Sequence, residues 1–230
     1  MPSSWISVLN SYDYSVDLSD FTDRNRFPNY FALRVLGDRS STIQFENYFR
    51  ENAKNNIAVF LEVIYWKLYS QPRIRNKTTS RIADHFINCK IDPTHFYDQV
   101  LEFTKTLSKY SLAQIRASLG FATDVIAVAL TFPAFIDPKN LPMVDNQVAK
   151  WVNINYQRHN IGKKHRLTPF NMNYTSLRDN DFENYLNWIS WCKEMSCLLT
   201  EKTDIEWRSR DVEMAVFTSQ RGKKLLNPVV

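Results

Sequence analysis

Hydrophobic positions recur every three to four residues along most of this chain, the spacing that lines up side chains on one face of an α-helix. The pattern sets in at "SSTIQFENYFRENAKNN" (40–56), where Ser41 and Gln44 have the spacing of a capping box. "NNIAVFLEVIYWKLYSQ" (55–71) is apolar almost all round and predicts a central helix buried on most sides. Helices are predicted over "TTSRIADHFINC" (78–89) and from "DPTHFYDQVLEFTKTL" (92–107), where Asp92 caps and Pro93 takes the first helical position. "YSLAQIRASLGFATDVIAVALTF" (110–132) holds two shorter helical patterns broken at Gly120. "NQVAKWVNINYQ" (146–157), with Val148, Trp151 and Val152 on one face, "DFENYLNWISWCKEMSCLL" (181–199) and "SRDVEMAVFTSQ" (209–220) complete the set. The first 40 residues show no sustained period, and no two segments read as a strand hairpin. The expected fold is all-α, about eight to ten helices of ordinary length.

Composition supports that reading. Four glycines among 230 residues are too few for the closely spaced turns of an all-β fold, and 44% hydrophobic residues suffice for a substantial core. The net charge of +5 suits a polyanionic partner without requiring one. Three cysteines, Cys89, Cys192 and Cys197, are too few for a disulfide framework and suit a reducing compartment. Neither they nor the four scattered histidines have metal-ligand spacing, so no metal and no cofactor is expected. The start, "MPSSWISVLNSYDYS", lacks the basic and apolar regions of a signal peptide. The longest apolar run, 125–136, is broken by Thr131 and Pro133 and falls short of the ~20 residues that span a bilayer. No membrane association is expected.

Two short stretches carry candidate chemistry. "LGFA" (119–122) sits between two predicted helices, where a tight turn needs one residue at positive φ, and Gly120 supplies it. A helix starting just beyond the turn offers backbone N–H groups around Phe121 to Asp124, a ready phosphate site; an ordinary helix corner has the same sequence. In "NLPMVDNQVAKW" (140–151), Asp145 directly precedes a predicted helix and fits an N-cap. Taken alone, these residues leave open whether Asp145 does more than cap.

Together, the two stretches resemble the helix-hairpin-helix DNA glycosylase family. In that family a Leu-Pro-Gly-hydrophobic-Gly hairpin is followed by an apolar helix and then by a hydrophobic-Pro-hydrophobic-Asp segment. The matching positions are Leu119, Gly120, Phe121 and Ala122 for the hairpin, and Leu141, Pro142, Met143, Val144 and Asp145 for the second segment. The likeness covers 110–152, and "SRDVEMAVF" (209–217) is similar to the closing helix of some archaeal members. It implies one domain over 1–230, two helical lobes flanking a cleft, with the hairpin at 110–132 and the catalytic loop and helix at 136–152. Three departures stand out: the Pro before Gly120 is missing, Ala122 replaces the second glycine, and Asp124 stands where bifunctional members carry a Schiff-base lysine. The resemblance is therefore to a monofunctional enzyme, which releases a base without cutting the strand, and three cysteines cannot build the iron–sulfur cluster of some members.

What the resemblance implies for the site follows. Asp145 is the catalytic carboxylate, stabilising the sugar cation or activating water, and the helix N-terminus favours its charged form. Leu119, Gly120, Phe121, Ala122 and Thr123 grip a phosphate. Extruding a base costs a few kcal/mol and needs an aromatic pocket, to which Phe132 and Trp151 are assigned, although for each of them core packing is the better single reading. The basic stretch "RHNIGKKHR" (158–166) offers Lys163, Lys164 and Arg166 for DNA contact, or is a solvated loop. The expected partner is double-stranded DNA, bound by a monomer in a prokaryotic, nucleoid-associated cytoplasmic setting. Two other classes fit the same residues: a non-catalytic helix-hairpin-helix DNA-binding protein, and an all-α interaction module.

Overall fold

The structure, a computed structural model, describes residues 2–26, 35–121, 124–159, 166–171, 177–224 and 226–227. It is mostly helical, as the periodicity predicts, and clusters into two compact units.

One unit comprises Tyr14–Asp124 and Thr131–Ile136. It holds α2 (Arg39–Asn52), α3 (Ile57–Leu68), α4 (Arg75–Asn88), α5 (Pro93–Thr106), α6 (Lys109–Ser118) and α7 (Thr131–Ile136). Its axis is α3, in which every residue from Ala58 to Trp66 is buried, as its apolar circumference demands. Around it Phe45, Phe49, Phe60, Phe96, Phe132 and Phe135 pack ring against ring, with centroids 4.6 to 6.1 Å apart. Asp92 caps α5 by accepting the His95 N–H at 2.9 Å, with Pro93 at the first helical position. At α2 the cap differs from the prediction: Asp38, not Ser41, takes the role, accepting the Ser41 N–H at 2.8 Å and starting the helix one turn earlier. A two-residue antiparallel ladder, β1 (Val16–Asp17) with β2 (Val35–Leu36), lies within the predicted lead-in and is too short to give a periodic signal.

The other unit comprises Met1–Asp13, Val125–Leu130 and Asp137–Val230. Here α1 (Pro2–Asn10), α8 (Asn146–Asn155), α9 (Phe182–Thr203) and α10 (Ser209–Gly222) pack together. Its centre is a tryptophan cluster. Trp5 of α1, Trp151 of α8 and Trp191 of α9 stand 4.9 to 6.3 Å from one another or from the ring of His159. The Trp5 Nε1–H reaches the Asn227 carbonyl at 2.8 Å and the Trp191 Nε1–H the His159 carbonyl at 2.6 Å, which satisfies the polar edges of two buried indoles.

His159 is 4% exposed, and burial holds its pKa down at about 4, with Arg158 adding to the shift and a backbone hydrogen bond at Leu226 opposing it. Its Nδ1 has no hydrogen-bond partner among the described residues. The unfolded chain protonates this imidazole near its ordinary 6.5, so between pH 6.5 and about 4 the unfolded state binds more protons than the folded one. Stability is thus expected to fall as the pH drops through that window, by up to roughly 1.4 kcal/mol per pH unit from this group. Melting temperatures measured from pH 7.5 downward check this: His159→Phe should flatten the decline, and an unchanged profile would assign the acid sensitivity elsewhere.

The prediction over 110–132 requires correction. The first helix of that stretch is α6, but among the described residues no second helix starts between Gly120 and Thr131; Ala127–Leu130 form turns and the next helix, α7, begins at Thr131. Pro133 explains the boundary. A continuous helix would drive its ring into the Ala129 carbonyl and forfeit a hydrogen bond, whereas a start at Thr131 puts the proline in the first turn, where no N–H is needed. The freed segment bonds elsewhere: the Ile126 N–H donates to the Leu177 carbonyl at 3.0 Å, and Val125 bridges Arg178. No helix among the described residues is long and apolar enough to cross a membrane.

Candidate functional site

Asp145 has an extended backbone (φ −147°, ψ −177°), so its side chain turns back over the first turn of α8. Its Oδ1 accepts the N–H groups of both Gln147 and Val148 at 2.9 Å. The residue is half-buried, while Leu141, Pro142, Met143 and Val144 before it are buried. That apolar run anchors the carboxylate from the chain side and the helix anchors it from the other.

The loop leading to Asp145 is held carbonyl by carbonyl. Pro138 and Lys139 accept from the Arg210 and Ser209 amides at 3.1 Å, so the loop satisfies donors at the start of α10 that a helix cannot satisfy itself. Pro142 accepts from the Tyr185 hydroxyl at 3.1 Å and Met143 from the Trp188 indole at 3.0 Å. Asp137 closes the loop's start by binding the Asn140 side-chain amide at 2.9 and 3.0 Å. Periodicity marks Tyr185 and Trp188 only as core residues of α9. Their positioning role follows from the general need of a buried hydroxyl or indole N–H for a partner, but sequence does not say which carbonyl supplies it.

At the other proposed contact, Gly120 has φ +68° and closes α6. The Gly120 N–H donates to the Ala117 carbonyl at 2.9 Å and the Phe121 N–H to the Arg116 carbonyl at 3.0 Å, the paired bonds of a Schellman cap. The Leu119 N–H is likewise bonded to Ile115 and Arg116, and its side chain is fully buried. The amides of Leu119, Gly120 and Phe121, expected to be open to a phosphate, are therefore spent on the carbonyl end of α6. Ala122 and Thr123 lie outside the described residues, as do Lys163 and Lys164; Arg166 is exposed.

Gly120 is also packed too closely for any side chain. A Cβ there would lie 2.7 Å from Cγ of His85 on α4. Gly120→Ala should cost about 2–3 kcal/mol in urea unfolding, combining a left-handed backbone with a clash. Adding His85→Ala should recover the steric share and leave the backbone share; equal losses in the single and double variants would refute the packing account.

The two pocket candidates are core residues. Phe132 is fully buried, with the rings of Phe49, Phe60 and Phe96 5.5 to 6.1 Å away. Trp151 is 3% exposed and sits against His159 and Trp191 at 4.9 and 5.9 Å. They belong to different units, and neither presents a free face to a base. Among the described residues no group of three or more His, Cys, Asp or Glu side chains could hold a metal ion. Cys192 is buried, which raises its thiol pKa, and Cys89 and Cys197 are exposed. No family model, curated protein or solved structure matches this chain.

Proposed function

We propose that this protein is a monofunctional DNA glycosylase that hydrolyses the N-glycosidic bond of a damaged or mismatched base, with Asp145 as its catalytic carboxylate. The supporting observation is the placement of that carboxylate: half-exposed, with Oδ1 fixed by two backbone amides at 2.9 Å, on a loop whose carbonyls are pinned by Tyr185 and Trp188. A fixed negative charge of this kind stabilises a developing sugar cation without reorganising during the reaction. It can also align the attacking water. In this reading α6 and the Gly120 turn correspond to the first half of a helix-hairpin-helix, with non-helical Val125–Leu130 in place of the start of the second helix. Incubation with duplexes carrying oxidised, alkylated or mismatched bases, then alkali, should cut the strand at the lesion, and without alkali it should not.

The turn itself favours a second reading. With the Gly120 and Phe121 amides bonded within α6, the hairpin offers no phosphate grip from those groups, and an all-α interaction module with Asp145 as a cap alone accounts for the same geometry. Absence of base release from every duplex together with absence of duplex binding at low salt would select it.

A further inference from the structure

Between Arg73 and Lys90 the chain carries five Lys and Arg residues against one acid, Asp84, so this stretch supplies +4 of the net +5. On α4, Thr79, Ile82, Ala83 and Phe86 are buried. Lys77, Arg81, Asp84 and Asn88 recur at helical spacing on the opposite, exposed side. The acid on this face is neutralised from outside the helix, by Arg26 at 3.0 Å. Arg75 is turned inward, stacked 4.2 Å over the Tyr69 ring and 3.6 Å from Asp20. Arg73, Lys77 and Lys90 are exposed and make no ion pair among the described residues. Arg81 lies 5.4 Å over the half-buried ring of Phe121 and 3.5 Å from the Gly120 carbonyl, which brings an aromatic face to the edge of the basic stripe.

We infer that the exposed face of α4 and the turn before it, flanked by Phe121, form a nucleic-acid backbone-binding surface on which Arg73, Lys77 and Arg81 contact phosphates. This rests on the reading of DNA as partner. It moves the electrostatic contact from the hairpin amides, which are spent, to exposed cationic side chains on and just before α4. Cations on successive turns stand about 6 Å apart along the helix axis, and a duplex presents a phosphate charge about every 1.7 Å. The match is therefore one of charge density rather than of a single pocket, and it is sequence-independent. An anionic membrane is a poorer occupant. The exposed apolar residues of this element, Ile74 and Ile87, stand at its two ends with the polar stripe between them, and no apolar strip is available for insertion.

The test is fluorescence anisotropy of the full chain on a labelled duplex across a salt series, with base release assayed in parallel. Lys77→Gln/Arg81→Gln should weaken binding about tenfold at low salt and lower the salt slope by about 2. Lys77→Arg/Arg81→Lys should bind as the natural chain does. Lys105→Gln/Lys193→Gln removes the same charge from exposed positions elsewhere and should change the affinity less than about twofold. Equal weakening in the two glutamine pairs, or no weakening in the first, overturns the assignment. So does binding to phosphatidylserine vesicles that the first pair abolishes while duplex affinity is unchanged. DNA binding that depends on Lys77 and Arg81 without any base release sustains the surface and ends the glycosylase reading. Base release with unaltered affinity in the first pair sustains that reading and ends the surface.

Discussion

Asp145→Asn should lower single-turnover base release by about 10²–10⁴-fold while leaving the melting temperature close to that of the natural chain. The two effects separate because asparagine caps a helix about as well as aspartate. Its side-chain oxygen can accept the Gln147 and Val148 amides that Oδ1 of Asp145 now accepts at 2.9 Å, so α8 keeps its first turn. What is lost is the negative charge and the ability to accept a proton, together worth the two to four powers of ten typical of general-base and preorganised electrostatic catalysis. Asp145→Ala removes both roles and should add about 1 kcal/mol of destabilisation. If base release persists in Asp145→Asn, the residue is a cap and nothing more. If it is lost only together with the fold, the chemistry lies elsewhere.

The largest expected loss of stability follows removal of a buried charge partner. On α10 the Arg210 guanidinium, fully buried, is paired with Glu213, which is 4% exposed. Arg210→Met leaves the Glu213 carboxylate without a cation in a dry setting, a change that typically costs about 3–5 kcal/mol, or roughly 10 °C in melting temperature for a chain of this size. Arg210→Met/Glu213→Leu should recover most of the loss, since a buried ion pair replaced by apolar groups of similar volume is often neutral or better. Equal loss in the single and double variants would show that packing, not charge, sets the cost. The Arg210 and Ser209 amides also hold the Pro138 and Lys139 carbonyls, so a frayed α10 would loosen the loop that carries Asp145.

Much of this architecture is local in origin and can be read from the chain. Asp92 and Asp145 cap their helices as predicted because capping is settled within one turn, by a side-chain oxygen and amides two or three residues on. The burial of α3, Trp66 included, follows from an apolar circumference, and Trp188 and Trp191 are core because they lie on the apolar face of the amphipathic α9. The absence of a second helix after Gly120 was also written locally, in Pro133, but the apolar run 125–136 masks it: the same Val, Ile, Ala and Leu residues suit a buried helix or a buried extended segment. Where the freed backbone then pairs is set by Leu177 and Arg178, some fifty residues away, which take up the backbone groups of Ile126 and Val125.

The site divides in the same way. That Asp145 caps a helix at the end of a buried loop is a property of twelve consecutive residues. That Pro142 and Met143 are held by Tyr185 and Trp188, 43 and 45 positions along, is not. Nor does sequence alone show that the Gly120 and Phe121 amides turn back into α6, or that Lys77 and Arg81 face outward beside Phe121. Sequence by itself determined most of the helices, the caps at Asp92 and Asp145 and which faces are apolar, since those depend on interactions within a turn or two. Only the tertiary structure decided which backbone groups and charges remain available, because each hydrogen bond or ion pair made with a distant residue removes a group that local sequence leaves open.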